Sequence, residues 1–349
     1  MTSERVAVPR HYQEAAAKLW RLIGPARRIV TPFHINADPD AVGSALGACQ
    51  LLVAAGKEVT VVASDGEFPA FTRFLPGADA IVRYRGGPLP EADLILALDS
   101  SDESRLGELY AANAGRFAAG PTVVIDHHIT NTHFGTAGAN FVDPQAAATA
   151  EMVYLLARAW ELPVPIDAAT CLLAGVYGDT LGLQTGSTTD RTLRVAADLR
   201  AAGADLIGIV HHFYRSRPYS AVKLWGLVVA RASWQGATLW SAVTPELLAE
   251  AGAGEDESSG IINFLTGTEG ARVTVLLHRG PDEWRCSLRT LTEGVDVSAI
   301  AARFGGGGHP KAAGCRIAGG EAERDAFLRE VDALAAGMAS AERGARNAE

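Results

Sequence analysis

A two-part α/β protein is the fold class this sequence predicts: a parallel-sheet domain followed by a smaller α/β domain. Three observations carry that expectation. The first half alternates short β-branched runs with alanine-rich stretches of helical spacing, the pattern of strands joined by crossover helices. The chain has 349 residues, more than one core of roughly 250 residues comfortably serves. Beyond about Leu227 the texture changes.

Taken in order, residues 29–33 form the first strand, and residues 41–55 have the spacing of the helix after it. Residues 59–63, 94–98 and 122–125 are the next strands. The last two run straight into Asp99-Ser100-Ser101-Asp102 and Asp126-His127-His128. Residues 146–160 and 168–177 read as helices, the second leading into Gly178-Asp179-Thr180. From Asp190 to about Leu227 the pattern is mostly helical and could connect two lobes. Residues 237–243, 272–278 and 284–288 then read as strands, with helices at 258–265 and 298–304. The run Gly305-Gly306-Gly307-Gly308-His309 follows the second of these helices. From about Gly337 the chain is small and polar and is expected to fray. The expected division is 1–200 for the first domain, 201–227 for a helical connector, 228–336 for the second domain and 337–349 for a flexible tail.

Composition narrows the function. Hydrophobic content of 48% and charged content of 20% describe a soluble chain with a sizeable core. No apolar run reaches the ~18 residues of a membrane span. Residues 1–5 lack the charged-then-apolar plan of a secretory signal. The four cysteines lie far apart with no C-x-x-C pair, as expected of reduced thiols in a cytoplasmic protein. A net charge of −9 argues against tracking long nucleic acid, which needs a basic face. It leaves room for a short phosphorylated substrate.

The most informative stretch is His34-Ile35-Asn36-Ala37-Asp38-Pro39-Asp40, one imidazole and two carboxylates directly after a strand. A turn at the carboxyl edge of a parallel sheet is where ligands bind, and this donor set suits Mn²⁺. Asp99, Asp126-His127-His128 and Asp179 supply the same residue types from three other element ends. So many carboxylates at one point would repel unless cations lay between them. Two cations roughly 3.5–4 Å apart could share such a set, the arrangement suited to in-line attack on phosphorus.

With those residues in place, the chain resembles the DHH phosphoesterase superfamily. Asn131, Phe134 and Gly135 follow the Asp126-His127-His128 triplet at the family's spacing, as does Asp143-Pro144 leading to Ala148-Thr149-Ala150-Glu151. Gly306-Gly307-Gly308-His309-Pro310-Lys311-Ala312-Ala313-Gly314 resembles the glycine-rich motif of the DHHA1 domain. Segments around Asn263-Phe264-Leu265 and Ser287-Leu288-Arg289 resemble nanoRNase-like members. The resemblance implies two Mn²⁺ ions, with Mg²⁺ or another divalent cation possible. One would be held by His34, Asp38 and Asp99, the other by Asp40, Asp99, His127 and Asp179. It implies Asp126 as an auxiliary ligand or support, and His128 as a phosphate contact or proton donor. Arg289, Gly306, Gly307, Gly308, His309 and Arg105 are expected to touch substrate in a cleft between the two lobes. The implied substrates are short oligoribonucleotides, 3′-phosphoadenosine 5′-phosphate, and linear or cyclic dinucleotides; long nucleic acid and membranes are not expected partners. A homodimer is implied as well. One departure stands out: members often carry Gly and then an aromatic just after the Asp-Thr pair, where this chain has Leu181-Gly182-Leu183.

Other readings carry less. His211-His212 has no acid close in sequence and is assigned no metal role; Glu151 is as readily structural, and Lys311 exposed. Single-strand exonuclease action like that of RecJ would need a longer, more basic chain. A nucleotide sensor without turnover would have lost a ligand position, and none is lost.

Overall fold

Strands in the first part of the chain form where apolar runs can be buried on both sides of a sheet. A computed structural model describes residues 5–66 and 68–346, in two units, Met1–Ser216 and Arg217–Glu349. The first unit opens with helix α1 (Arg10–Ile23), which buries Tyr12, Ala15, Ala16, Leu19 and Ile23 at helical spacing. Strand β1 (Arg28–Phe33), helix α2 (Pro39–Ala54) and strand β2 (Glu58–Ala63) follow. Then come β3 (Val82–Arg83), β4 (Leu94–Leu98), α3 (Gly107–Ala119), β5 (Thr122–Asp126) and β6 (Asn140–Val142). Helices α4 (Thr149–Ala159), α5 (Ile166–Asp179), α6 (Asp190–Ala201) and α7 (Leu206–Val210) complete it.

The sheet has the order β3-β2-β1-β4-β5-β6, with every neighbouring pair parallel. Alternate side chains serve opposite faces. Ile29, Leu94, Leu96 and Val123 join the larger core with α1, α2, α4 and α5, while Val30 and Ile95 pack under α3 with Leu106 and Leu109. The order of connection reverses between β1 and β4. In doubly wound sheets that reversal opens a crevice at the carboxyl ends of the strands. His34 follows β1 and Asp99 follows β4, one on each side of it.

Four strands lie within a residue of their expected ends. Helix α4 starts at Thr149 rather than at 146, because residues 143–148 turn through loop hydrogen bonds instead.

The second unit comprises α8 (Tyr219–Ala230), β7 (Ser233–Gln235), β8 (Thr238–Val243), α9 (Pro245–Ala251), α10 (Ile261–Thr266), β9 (Val273–Arg279), β10 (Glu283–Arg289), α11 (Val297–Ala302), β11 (Gly307–His309), β12 (Ala312–Ala318) and α12 (Glu321–Arg346). Its sheet runs β11-β12-β10-β9-β8-β7, antiparallel except for the β8–β9 pair. One face packs on α11 and α12, the other on α8, α9 and α10. The helix expected over 258–265 is broken by Gly260 at φ +88°, so α10 begins at Ile261. Where fraying was expected from Gly337, α12 continues to Arg346, because Val331, Ala335 and Ala339 lie one turn apart against the core. The rest of that segment, 347–349, lies outside the described residues. All four cysteines are free thiols. No helix among the described residues is long and apolar enough to cross a membrane.

Candidate metal centre

The first donor group is built by the turn between β1 and α2. His34 is 1% exposed, and its Nδ1 lies 2.7 Å from the Ile35 carbonyl, which makes Nδ1 the protonated nitrogen and Nε2 the acceptor. Asp38 is the N-cap of α2: its Oδ1 accepts from the backbone N–H groups of Asp40 and Ala41 at 3.0 and 2.9 Å. The other oxygen, Oδ2, lies 3.7 Å from His34 Nε2. Asp99 ends β4 with φ +53°, and its Oδ2 lies 3.5 Å from the same His34 Nε2.

Asp40, fully buried in the first turn of α2, points toward the start of α4. Its Oδ2 accepts from Thr149 N–H at 2.5 Å and its Oδ1 from Ala150 N–H at 3.0 Å, so a helix N-terminus holds the carboxylate. A Cβ at Gly175 would sit 2.6 Å from Asp40 Oδ1, which is why α5 carries glycine there. His127 follows β5; its Nδ1 lies 3.2 Å from the Ala146 carbonyl, and its Nε2 lies 3.2 Å from Asp179 Oδ2 and 3.5 Å from Asp99 Oδ1. Thr149 Oγ1 donates to Asp99 Oδ1 at 2.9 Å.

Asp126 is fully buried and accepts from His128 Nδ1 at 2.7 Å through Oδ1 and from Asn131 Nδ2 at 2.6 Å through Oδ2. His128 Nδ1 lies 3.8 Å from Asp99 Oδ1. The structure thus brings together His34, Asp38, Asp40, Asp99, Asp126, His127, His128 and Asp179. Donor atoms of His34, Asp38 and Asp99 lie within 4.8 Å of one another, as do those of Asp40, His127 and Asp179, and those of Asp99, His127 and His128.

Charge in this centre is out of balance, and divalent cations fit it. Nε2 of His34 and Nε2 of His127 are both buried without a hydrogen-bond partner, each turned toward carboxylates by a carbonyl on the opposite nitrogen. That is the tautomer and second contact a metal-ligating histidine requires. Without cations, protons must supply the positive charge. Burial works against a charged His34, yet Asp38 and Asp99 outweigh it and push its pKa to about 10. His127 moves up too, against the cost of burial, chiefly through Asp179. Burial raises Asp40 well above the ordinary carboxylate range, with Asp99 and Asp179 adding to it. Asp179 rises to about 6, burial outweighing the His127 contact. Asp99 goes the other way: burial would raise it, but its contact with His34 and the nearby His127 and His128 hold it below the usual range.

The remaining expected residues are placed as follows. Arg105 lies in a short 3₁₀ turn whose backbone accepts from Ile35 N–H at 2.9 Å, and its Nε is buried without a hydrogen-bond partner. In the second unit, Arg289 ends β10 with Nη1 donating to the Leu288 carbonyl at 3.0 Å, and burial lowers its pKa. The glycine run forms edge strand β11, paired with β12, and Gly307, Gly308 and His309 are exposed. His212 stacks on Phe74 with ring centroids 4.1 Å apart. Thr149 and Ala150 stood in the sequence only as part of the family-spaced segment 148–151, with no role given. Ala146 and Gly175 were not singled out, because a carbonyl and empty space leave no residue-type signal.

Two family models match the chain: the DHH family, N-terminal domain, over residues 28–176, and the DHHA1 domain over residues 238–337. The bifunctional oligoribonuclease and PAP phosphatase NrnA of Thermus thermophilus is 34% identical over 334 residues, covering 93% of this chain and 95% of that protein. NrnA of Bacillus subtilis is 26% identical, covering 91% and 97%. The crystal structure of an exopolyphosphatase-related protein from Bacteroides fragilis superposes with a TM-score of 0.84 at 23% identity, covering 97% of this chain and 99% of that one.

Proposed function

Since the chain belongs to the DHH/DHHA1 phosphoesterase superfamily, in its NrnA-like branch, we propose that it hydrolyses short oligoribonucleotides and 3′-phosphoadenosine 5′-phosphate with two divalent cations, Mn²⁺ foremost. The observation that carries this reading is the pair of buried, unpartnered Nε2 atoms of His34 and His127 facing a shared Asp99. His34, Asp38 and Asp99 would hold one cation, and Asp40, Asp99, His127 and Asp179 the other. Bound there, divalent cations would acidify water and offset negative charge on the phosphoryl group.

The chain's own residues do the rest. Asp126 holds the Nδ1–H of His128, fixing the ring and leaving proton exchange with substrate to Nε2. Arg105, whose carbonyl accepts from Ile35 N–H in the turn beside His34, would offer a guanidinium whose planar fork suits phosphate. In the second unit Arg289 and the backbone of Gly306, Gly307 and Gly308, with His309, would bind nucleotide, glycine letting main-chain N–H groups approach closely. A homodimer in the cytoplasm belongs to the same reading, and light scattering on purified protein reads the assembly.

The test is release of phosphate and mononucleotide by purified protein with Mn²⁺. Substrates are 3′-phosphoadenosine 5′-phosphate, linear pApA, cyclic di-AMP and a short RNA, with EDTA and Asp99→Ala as controls. Turnover lost in both controls is expected, with the first two and the RNA ranked above cyclic di-AMP. Protein that binds Mn²⁺ and turns over none of the four overturns the reading.

A further inference from the structure

Residues 143–151 touch three of the turns that carry proposed ligands. Asp143 N–H donates to the Asp126 carbonyl at 3.1 Å, and the Ala146 carbonyl faces His127 Nδ1. Thr149 and Ala150 hold both oxygens of Asp40, and Thr149 Oγ1 reaches Asp99. The position of this segment therefore sets three ligands at once.

What fixes the segment is a second buried charge cluster. Asp143, near its start, accepts from Gln145 N–H at 3.1 Å, Tyr12 OH at 2.7 Å and Arg191 Nη2 at 3.1 Å. Glu151, near its end and 0% exposed, accepts from Arg191 Nε at 2.5 Å, Thr192 Oγ1 at 2.8 Å and Ala147 N–H at 3.3 Å. One guanidinium thus ties both ends, and α6 holds it in place through the Thr189–Thr192 capping box. The Arg191 guanidinium also lies 5.4 Å from the Tyr12 ring centroid. Its partners Asp143, Glu151 and Tyr12 are not proposed ligands.

We propose that Arg191 is a positioning residue of the metal centre, acting through Asp143 and Glu151 on the donors that hold Asp40, Asp99 and His127. This rests on the two-cation reading above. A buried carboxylate such as Glu151 is tolerable only when paired. Arg supplies two directed N–H groups, which Lys cannot.

The experiment titrates Mn²⁺ calorimetrically into metal-free full-length wild type, Arg191→Lys and Glu151→Gln. The thermal midpoint of each metal-free protein, and kcat and KM at low and saturating Mn²⁺, are measured alongside. Both variants are expected to bind Mn²⁺ about tenfold or more weakly, the effect of losing a ligand's support. Their kcat should recover at saturating Mn²⁺ with little change in KM. Unchanged Mn²⁺ affinity with a lowered metal-free midpoint would make the cluster a scaffold and overturn the proposal. Thr192→Val, which removes the hydroxyl's bonds to Glu151 and to the Thr189 cap but no charge, carries the test if the other two fail to fold: weaker Mn²⁺ binding supports it and unchanged binding overturns it. A wild type that binds no Mn²⁺ overturns the two-cation reading instead, and this inference with it.

Discussion

Leu181 and Leu183, just past Asp179, hold φ at +49° and +67°, a region that side chains with a Cβ enter only under strain. Asn36 and Asp99 share it, at +52° and +53°. Three of the turns beside the centre therefore carry left-handed backbone at a residue other than glycine. At Asp99 that bend is part of what sets the carboxylate between His34 and His127. Strain of this kind persists where the surroundings over-determine it. Leu181 is 40% exposed, so its side chain contributes little packing. Leu181→Gly should therefore stabilise the protein by about 0.5–1 kcal/mol, the relief of strain exceeding the added freedom of the unfolded chain. Urea unfolding measures it, and a destabilised variant would show that the leucine side chain anchors the loop. At this scale the acids and histidines were legible because their chemistry belongs to the side chain. The roles of Ala150 and Ala146 were not, because an amide and a carbonyl do their work at the centre, and Thr149 adds its own amide to the contact its hydroxyl makes with Asp99.

Elements were legible in proportion to how much apolar surface they bury. The strands β4 and β5 are buried at every position and stand out as continuous runs. The edge strands β3, β6, β7 and β11 have two or three residues each, too few for a period to show. Helix α12 was missed toward its end because its buried positions beyond Val331 are alanines, Ala335 and Ala339, with Gly337 between them. The glycine run is the opposite case, plain in the sequence yet ordered as a strand. Here the glycines are not equivalent. A Cβ at Gly306 would meet the Gly314 carbonyl at 2.1 Å and Cys315 Cβ at 2.5 Å, whereas one at Gly307 would meet nothing within 4 Å. Gly306→Ala is therefore expected to cost about 1–3 kcal/mol by forcing β12 aside. Gly307→Ala should stay within about 0.5 kcal/mol of wild type, as surface changes usually do. Equal effects in chemical unfolding would mean that β11 does not pair with β12 in solution.

For the whole molecule, the acidity read from composition and the crowding seen at the centre are linked. Four carboxylates of Asp38, Asp40, Asp99 and Asp179 contribute to a net charge of −9 and face three imidazoles, those of His34, His127 and His128. In the metal-free protein His34, His127, Asp40 and Asp179 take up protons on folding. His34 has its pKa raised to about 10, so its protonated form stabilises the folded chain fully below the ordinary histidine value, and that contribution is lost as pH climbs toward 10. Asp179, raised to about 6, loses its contribution earlier, as pH rises through 6. Asp40 and His127 are shifted upward too and act in the same direction, while the depressed Asp99 matters only in acid. Metal-free protein should thus lose thermal stability steadily from pH 6 to 8. Cations compete with those protons for the same lone pairs, so they bind better as pH rises, and they stabilise the state they bind. The gap in thermal midpoint between Mn²⁺-loaded and EDTA-treated protein should therefore widen across that range. Scanning calorimetry at pH 6, 7 and 8 decides it. A gap that stays constant or narrows would mean that the acids and histidines at the switch point of the sheet balance one another without cations.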